Sequence, residues 1–217
     1  PYPAILTDAI VGEQATRVFA DGKEMLRKLI EGRWLSASGV LALFPANSVG
    51  DDIEFYTDES RTEVLMTWYG LRQQTEKQVI DGVMRPSRCL ADFVAPKGVA
   101  NDYVGMFAVT AGLGVEKKEQ QFIDDLDDYS AIMLKALADR MAEGLAECMH
   151  HRVRTDLWGY AADEALSNEE LIKEKYQGIR PAPGYPACPD HAVKRPMFDV
   201  LQCEDIGMGL TESLAMT

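Results

Sequence analysis

The chain has 217 residues and a mass of 24.1 kDa, which fits one domain or two very small ones. Hydrophobic residues make up 47% and charged residues 26%, the composition of an ordinary globular protein and not of a disordered one. The 35 acidic residues outnumber the 22 basic ones, so the formal net charge is −13. This balance excludes a non-specific nucleic-acid binder, which needs a basic surface, and disfavours docking on anionic lipid.

The sequence predicts a cytoplasmic protein with no membrane span. No run approaches eighteen consecutive apolar residues, and no basic-then-apolar leader opens the chain. The four cysteines are widely spaced without a C-x-x-C pair, the pattern of reduced thiols. Because the chain begins at Pro1 without a methionine, we expect a piece of a longer protein.

Hydrophobic periodicity predicts mostly strands in the first half of the chain. An amphipathic helix over residues 12–31 comes first, and a short buried strand over 40–44, ended by Pro45, follows it. The next predicted elements are a hairpin of residues 53–57 and 63–69 and two strands, at 89–94 and 103–110.

The second half is predicted to be helical. The period changes to that of one very long helix over 116–154. A second helix over 167–176 begins with a capping box of Ser167 and Glu170, and Gly178 closes it. A helical piece over 196–203 and a strand over 210–216 finish the chain. Strands first and long helices later predict an α+β fold and not alternating β-α-β units.

The most unusual segment is the proline loop, residues 180–191, which read RPAPGYPACPDH. Four prolines hold the backbone extended and remove N–H donors, so a ligand laid along the loop costs little further ordering. Gly184 after Pro183 suits a type II turn and lets a ligand approach the main chain. Arg180 offers a planar fork for a carboxylate or phosphate. A rigid structural loop with a surface arginine explains the composition equally well.

The long predicted helix carries a ladder of titratable groups. Asp139, Glu143, Glu147 and His151 are spaced four residues apart, so they share one helix face. A solvated face is the default interpretation, and a cation or a donor-rich partner is the alternative. Residues 147–150 match the Glu-x-x-His unit of di-iron bundles, but that site needs two such units. We therefore predict no metal site.

Other motifs are weaker. Gly112 and Gly114 form half of a G-x-G-x-x-G fingerprint between a strand and a helix, which favours either a Rossmann-type cofactor site or a tight turn. Cys188 with His191 as a nucleophilic pair has no further support. The sequence thus indicates no catalytic residue.

Several long motifs in order resemble one family. The proline loop is similar to the S-adenosylmethionine-binding signature of the C-terminal activation domain of cobalamin-dependent methionine synthase. The further motifs that resemble this family are residues 43–54, 71–77, 89–97, 135–140, 158–160 and 166–171. The likeness therefore covers nearly the whole chain.

The resemblance implies an architecture and a set of site residues. The expected fold is a single C-shaped domain over residues 1–217, with a bent, mainly antiparallel sheet flanked by long helices. Arg180 is expected to grip the methionine carboxylate, with Ala182, Gly184 and Tyr185 contacting the ligand from the same loop. The resemblance also assigns Asp139, Glu143 and His191 to the face that meets the cobalamin domain.

The resemblance also implies the chemistry. An electron from flavodoxin, or from a flavodoxin-like reductase, combines with a methyl group from S-adenosylmethionine to convert inactive cob(II)alamin to methylcobalamin. The domain positions the methyl donor for a methyltransferase of methionine biosynthesis, while the cobalamin is bound by another domain of the full enzyme. No general acid or base is needed. Because the isolated chain lacks the cobalamin, folate and homocysteine modules of the full enzyme, we expect it not to turn over.

The chain departs from the family pattern in three places. An acidic interface position falls at Val115, the family's ligand-binding aspartate lies upstream of Pro1, and a tyrosine pair lies beyond Thr217. We therefore expect a domain truncated at both ends. The alternative function is a non-catalytic docking module for the cobalamin domain or for a flavodoxin-type electron donor.

Overall fold

A computed structural model describes residues 2–77 and 79–217. The chain divides into two compact units, which we name by their content. The helical unit comprises Pro1–Ser38 and Val109–His151, and the sheet unit comprises Gly39–Ala108 and Arg152–Thr217. The mixture of helices with an antiparallel sheet confirms the predicted α+β class. The single C-shaped domain stays a prediction.

The helical unit contains α1 (Gly12–Gly32), α2 (Val115–Asp124) and most of α3 (Asp128–Arg152). Its core is small, with Met25, Leu29 and Leu134 buried. Partly buried Trp34 packs its ring edge-on against Phe122 at a centroid distance of 6.0 Å. The predicted helix over residues 12–31 is confirmed within one residue at its C-terminal end.

The prediction of a single helix over 116–154 is wrong, because a turn at residues 125–127 separates α2 from α3. Leu126 adopts a left-handed φ of 59°. The Asp127 N–H donates to the Phe122 carbonyl at 2.8 Å and the Leu126 N–H to the Ile123 carbonyl at 3.0 Å, the two bonds of a Schellman ending. Asp127 then accepts the Ser130 N–H at 3.0 Å and so caps α3.

The sheet unit is built on a four-stranded sheet in the order β3-β2-β1-β6. The strands are β1 (Ser36–Val49), β2 (Asp52–Tyr56), β3 (Val64–Trp68) and β6 (Asp102–Leu113), and both β1 and β6 have residues in the helical unit. The predicted hairpin is confirmed as β2 and β3, which pair antiparallel. Pro45 does not end β1, because the β1–β2 ladder covers only Ala46 to Val49 and leaves Pro45 outside it.

A separate two-stranded hairpin, β4 (Val79–Ile80) and β5 (Val83–Met84), follows the main hairpin. Asp81 and Gly82 connect its strands with φ values of 53° and 78°, as a type I′ turn requires. The strand predicted over 89–94 is wrong: Leu90–Phe93 is a 3-10 helix. Cys89 precedes it, and its N–H donates to Asp92, the residue that pairs with Arg72.

The end of the sheet unit is short helices and turns. The capping box is confirmed, because the Ser167 N–H donates to Glu170 at 3.0 Å, but α4 covers only Asn168–Ile172. The last predicted helix is α5 (Lys194–Leu201) with a 3-10 turn at Cys203–Ile206. The predicted strand over 210–216 is wrong, since Leu210 and Met216 form one isolated bridge.

The sheet unit holds the larger core. The buried residues of its main cluster come from the sheet, the two 3-10 segments, the proline loop, α5 and positions next to them: Ala46, Ile53, Phe55, Met66, Trp68, Cys89, Ala91, Met106, Cys188, Val193, Phe198, Leu201, Cys203 and Met208. The proline loop and α5, which follows it, therefore both contribute residues to this core. None of the described helices is both long and apolar enough to span a membrane.

Candidate functional site

The proline loop is held by hydrogen bonds between its own main-chain groups. The Tyr185 N–H donates to the Ala182 carbonyl at 3.0 Å, and Gly184 between them has a φ of 104°. This is the predicted type II turn, with glycine where a positive φ is required. The Gly184 N–H donates to the Cys188 carbonyl at 2.8 Å, and the Cys188 N–H returns to the Tyr185 carbonyl at 2.9 Å. The structure thus brings three predicted site residues into one turn.

Accessibility differs between the predicted ligand contacts. Ala182 and Gly184 are exposed, and Tyr185 is 63% exposed. Arg180 is half-buried two residues before the turn. A half-buried arginine has fewer side-chain conformations to lose than a fully exposed one, so its binding of a carboxylate costs less side-chain entropy.

His191 lies against the turn. A Cβ placed on Gly184 would be 2.6 Å from Cε1 of His191 and 2.8 Å from its Nε2, so the imidazole occupies the space that glycine leaves. The ring remains exposed. Asp190 accepts the Ala192 N–H at 2.8 Å and carries the loop into α5. His191 is therefore part of the same loop surface as Gly184 and Tyr185.

Cys188 anchors the loop in the core of the sheet unit. Cys188 is 4% exposed. Burial raises the pKa of its thiol to about 11, and Asp190 and Cys89 add smaller effects. A thiol that keeps its proton at neutral pH is a poor nucleophile. This disfavours a nucleophilic Cys188–His191 pair and assigns Cys188 to packing.

Sequence reasoning missed an ion pair in the segment that leads to the loop. Arg154 and Glu164 form a bidentate pair, with Nε–Oε2 at 2.7 Å and Nη2–Oε1 at 2.6 Å. The guanidinium also lies 4.4 Å from the centre of the Tyr176 ring. The ten-residue separation of Arg154 and Glu164 fits no helical spacing, because a π-helical turn at Val153–Leu157 and a loop lie between them. No sequence signal marks such a pair.

The acidic face belongs to the helical unit. Asp139 and Glu143 are exposed on α3, and the Glu143 carboxylate pairs with Arg140 at 2.8 Å. Glu147 is half-buried and His151 is exposed. The pairing with Arg140 partly neutralises Glu143, so Asp139 contributes more of the negative charge of this face.

The Rossmann alternative for Gly112 and Gly114 is wrong. Gly114 has a φ of 96° and joins β6 to α2. After α2 the described chain continues into α3 and contains no further strand of the main sheet, so no β-α-β unit forms. The glycines make a strand-to-helix turn.

Within residues 2–77 and 79–217, no three His, Cys, Asp or Glu side chains are grouped so that they could hold a metal ion. Val115, at the position where the resembled family has an acidic interface residue, is the first residue of α2.

Two comparisons show what the chain is similar to. The family described as "Vitamin B12 dependent methionine synthase, activation domain" matches residues 1–217. Among solved structures, the crystal structure of the MetH reactivation domain bound to AdoHcy is 54% identical in sequence, with a TM-score of 0.89 over 99% of this chain. The chain spans 65% of the length of that structure's chain.

Proposed function

The chain belongs to the activation-domain family of vitamin B12-dependent methionine synthases, and we propose that it binds S-adenosylmethionine to position a methyl group for cobalamin reactivation. The observation that carries the proposal is the 54% identity, over nearly the whole chain, to a reactivation domain that binds AdoHcy. AdoHcy (S-adenosylhomocysteine) is S-adenosylmethionine without its methyl group, so a site for one has most of the contacts needed by the other.

We assign the carboxylate of the ligand to Arg180. Arg180 is half-buried two residues before the type II turn, and a charge-assisted pair between its planar guanidinium and a carboxylate is among the stronger contacts available to a small ligand. We assign the remaining contacts with the ligand to Ala182, Gly184 and Tyr185. Two of them are small, so the ligand can lie on the main chain, and the exposed Tyr185 ring offers an apolar face.

The bound S-adenosylmethionine supplies an activated methyl group on a sulfonium, and the one-electron reduction and methyl capture belong to the cobalamin of another domain. The chain's own contribution is orientation, since holding two reactants in line removes much of the entropic barrier. No acid or base is required, and the described loop offers no reactive thiol. Because the cobalamin that accepts the methyl group is bound by another domain, we propose that the isolated chain binds the methyl donor without turning over.

The test is a calorimetric titration of the chain with S-adenosylmethionine, using the wild type, Arg180→Ala and Arg195→Ala. Arg195 is an exposed arginine on α5 of the same unit and serves as the matched control. We expect saturable binding, a loss of about ten- to one-hundred-fold in Arg180→Ala, and no loss in Arg195→Ala. Failure of the folded wild type to bind, or equal losses in both variants, would contradict the proposal.

Docking of the cobalamin domain is the second part of the proposal. The observation that favours it is the pair of exposed carboxylates, Asp139 and Glu143, one helical turn apart on α3. We assign these two residues of the helical unit to contacts with the cobalamin domain of the full enzyme, and we assign His191 of the sheet unit to contacts with the same domain. A docking module without methyl-donor binding remains the alternative, and binding of the ligand in the titration would exclude it.

The electron donor is proposed to be a flavodoxin or a flavodoxin-like reductase. A flavodoxin-type donor carries an acidic surface, so its docking on a chain with a net charge of −13 requires a local basic patch. A cytoplasmic location is also proposed, and the four free cysteines of the structure support it.

A further inference from the structure

We propose that the buried pair Arg154–Glu164, together with Tyr176 and Tyr160, forms a positioning device that fixes Arg180 for the carboxylate of the ligand. This role rests on the proposed binding of S-adenosylmethionine. The four residues are positioning residues, because they act on the ligand through the chain segment that carries Arg180.

The first observation is the burial of the ion pair. The side chain of Arg154 is 0% exposed and that of Glu164 is 6% exposed. Two short parallel hydrogen bonds fix the plane of the guanidinium relative to the carboxylate. Removing two charges from water is expensive, and apolar residues of similar volume often give equal or greater stability. A buried pair is therefore better explained by the orientation that it imposes than by stability.

The second observation is what the pair holds. The Arg154 guanidinium lies over the Tyr176 ring, 4.4 Å from its centre. Tyr176 is four residues before Arg180, and the bidentate pair prevents the guanidinium from rotating away from the ring. The ion pair thus fixes the start of the segment that ends at Arg180.

A second contact holds the same segment further along. The Tyr160 hydroxyl donates to the Gln177 carbonyl at 3.4 Å. The next residue, Gly178, has a φ of 91°, and a Cβ there would be 3.2 Å from the Tyr160 oxygen. The main chain therefore passes directly under the phenol two residues before Arg180, and glycine is needed for both the conformation and the approach.

Tyr160 is in turn supported by the sheet. Its ring meets Trp158 edge-on at a centroid distance of 5.4 Å. A Cβ placed on Gly105 of β6 would be 3.6 Å from the Trp158 ring, so the indole lies close to the strand. Contacts thus run from β6 through Trp158 and Tyr160 to Gln177, all within the sheet unit. Two independent supports, the ion pair and the phenol, converge on residues 176–178.

The first experiment measures hydrogen exchange without ligand in peptides that cover residues 173–182. The variants are Glu164→Gln, which removes the charge but keeps the shape, and Tyr160→Phe, which removes only the hydroxyl. The control is Asp92→Asn, which weakens the bidentate pair with Arg72 elsewhere in the sheet unit. We expect exchange in 173–182 to accelerate at least about fivefold in the two test variants and to stay unchanged in the control.

The second experiment measures affinity for S-adenosylmethionine well below the unfolding temperature of every variant. Glu164→Gln should weaken binding about tenfold in the wild-type background and less than about twofold in the Arg180→Lys background, because the pair acts through Arg180. Equal losses in the two backgrounds, or a tenfold loss in Asp92→Asn, would overturn the positioning role.

The two experiments separate this inference from the proposed function. If the wild type does not bind S-adenosylmethionine, the proposed function fails, while hydrogen exchange still decides whether the device fixes residues 173–182. If Glu164→Gln does not fold, Tyr160→Phe decides both experiments. Unchanged exchange in Tyr160→Phe would then contradict the inference.

Discussion

The proline loop and the acidic face of α3 carry the two parts of the proposed function, and they are built in opposite ways. The loop has a closed turn of main-chain hydrogen bonds and is anchored in the core by Cys188. The acidic face consists of side chains in solvent, and the Arg140–Glu143 pair is about two-thirds exposed, at 67% and 66%. A small ligand needs donors held to within about half an ångström, whereas a protein partner needs charge at an accessible surface.

The comparison teaches where substitutions should act on more than one property. Changes in the proline loop or its supports should alter ligand affinity and the free energy of unfolding together. Changes on the acidic face should alter association and leave stability almost unchanged. The expected effects below run from the largest to the smallest.

The largest effect is expected from Arg154→Ala. This change leaves the Glu164 carboxylate buried without its guanidinium, so we expect the free energy of unfolding to fall by about 3–5 kcal/mol. Urea unfolding measures it. The matched control is Arg140→Ala, which removes the exposed partner of Glu143 and should cost less than ~0.5 kcal/mol. Equal losses would show that burial of the pair does not matter.

Two glycine-to-alanine substitutions contrast the regions directly. Gly184→Ala places a methyl group 2.6 Å from His191 at a φ of 104°, so we expect a loss of about 1–3 kcal/mol and weaker binding of S-adenosylmethionine. Gly144→Ala lies on α3 with nothing within 4 Å of its new methyl group and should stabilise the chain by about 0.5–1 kcal/mol. A tolerated Gly184→Ala in urea unfolding and calorimetry would mean that the turn is not rigid.

A smaller effect is expected from alkaline pH at the loop anchor. Burial raises the pKa of the Cys188 thiol from 9.0 to about 11. The contribution of the protonated thiol to the free energy of unfolding is therefore fully present below pH 9 and is lost as pH rises towards 11. Above pH 9 the unfolded chain releases this proton first, which should remove about 1 kcal/mol at pH 10. Unfolding at pH 8 and pH 10 measures the loss.

Two substitutions control this pH dependence. Cys188→Ala should reduce the alkaline loss, whereas Cys148→Ala, at an exposed position on α3, should retain it. Some loss should remain in Cys188→Ala, because burial also raises the pKa of Cys203. An identical pH dependence in Cys188→Ala and the wild type would contradict the assignment.

The smallest effect on stability is expected from Asp139→Asn combined with Glu143→Gln. Both carboxylates are exposed, so the free energy of unfolding should change by less than ~0.5 kcal/mol. Association with a cobalamin-loaded domain of the same synthase, measured by surface plasmon resonance, should nevertheless weaken at least about tenfold. Unchanged association would exclude this face from docking.

Local chemistry made part of this structure predictable from the sequence. Pro183 fixes a φ that suits the second position of a type II turn, and Gly184 allows the positive φ that the third position requires. Ser167 with Glu170 satisfies the first amides of α4 whatever its surroundings. The hairpin of β2 and β3 follows from alternating side chains. In each case the determining interactions lie within a few residues.

The predictions that were wrong concern features that depend on contacts between residues distant in sequence, or on main-chain turns that the pattern of apolar side chains does not reveal. The apolar period continues across residues 125–127, so the break at Leu126 is invisible to it. Residues 89–94 have strand propensity, but Leu90–Phe93 is a 3-10 helix whose Asp92 accepts the Cys89 N–H and also binds Arg72, a residue distant in sequence. The partnership of Arg154 with Glu164 requires the fold of the sheet unit. The roles of Arg180 and Asp139 came from the resemblance, and they stay predictions.

The Schellman ending at Leu126 affects how the sequence of this domain can change during evolution. A leucine that is 90% exposed at a φ of 59° gains little from burial and occupies a conformation that glycine adopts without strain. Replacement by glycine is therefore open to natural selection as a source of extra stability. The added stability would let the protein tolerate a destabilising substitution elsewhere in the domain. Substitutions at position 126 should therefore be correlated with substitutions at distant positions.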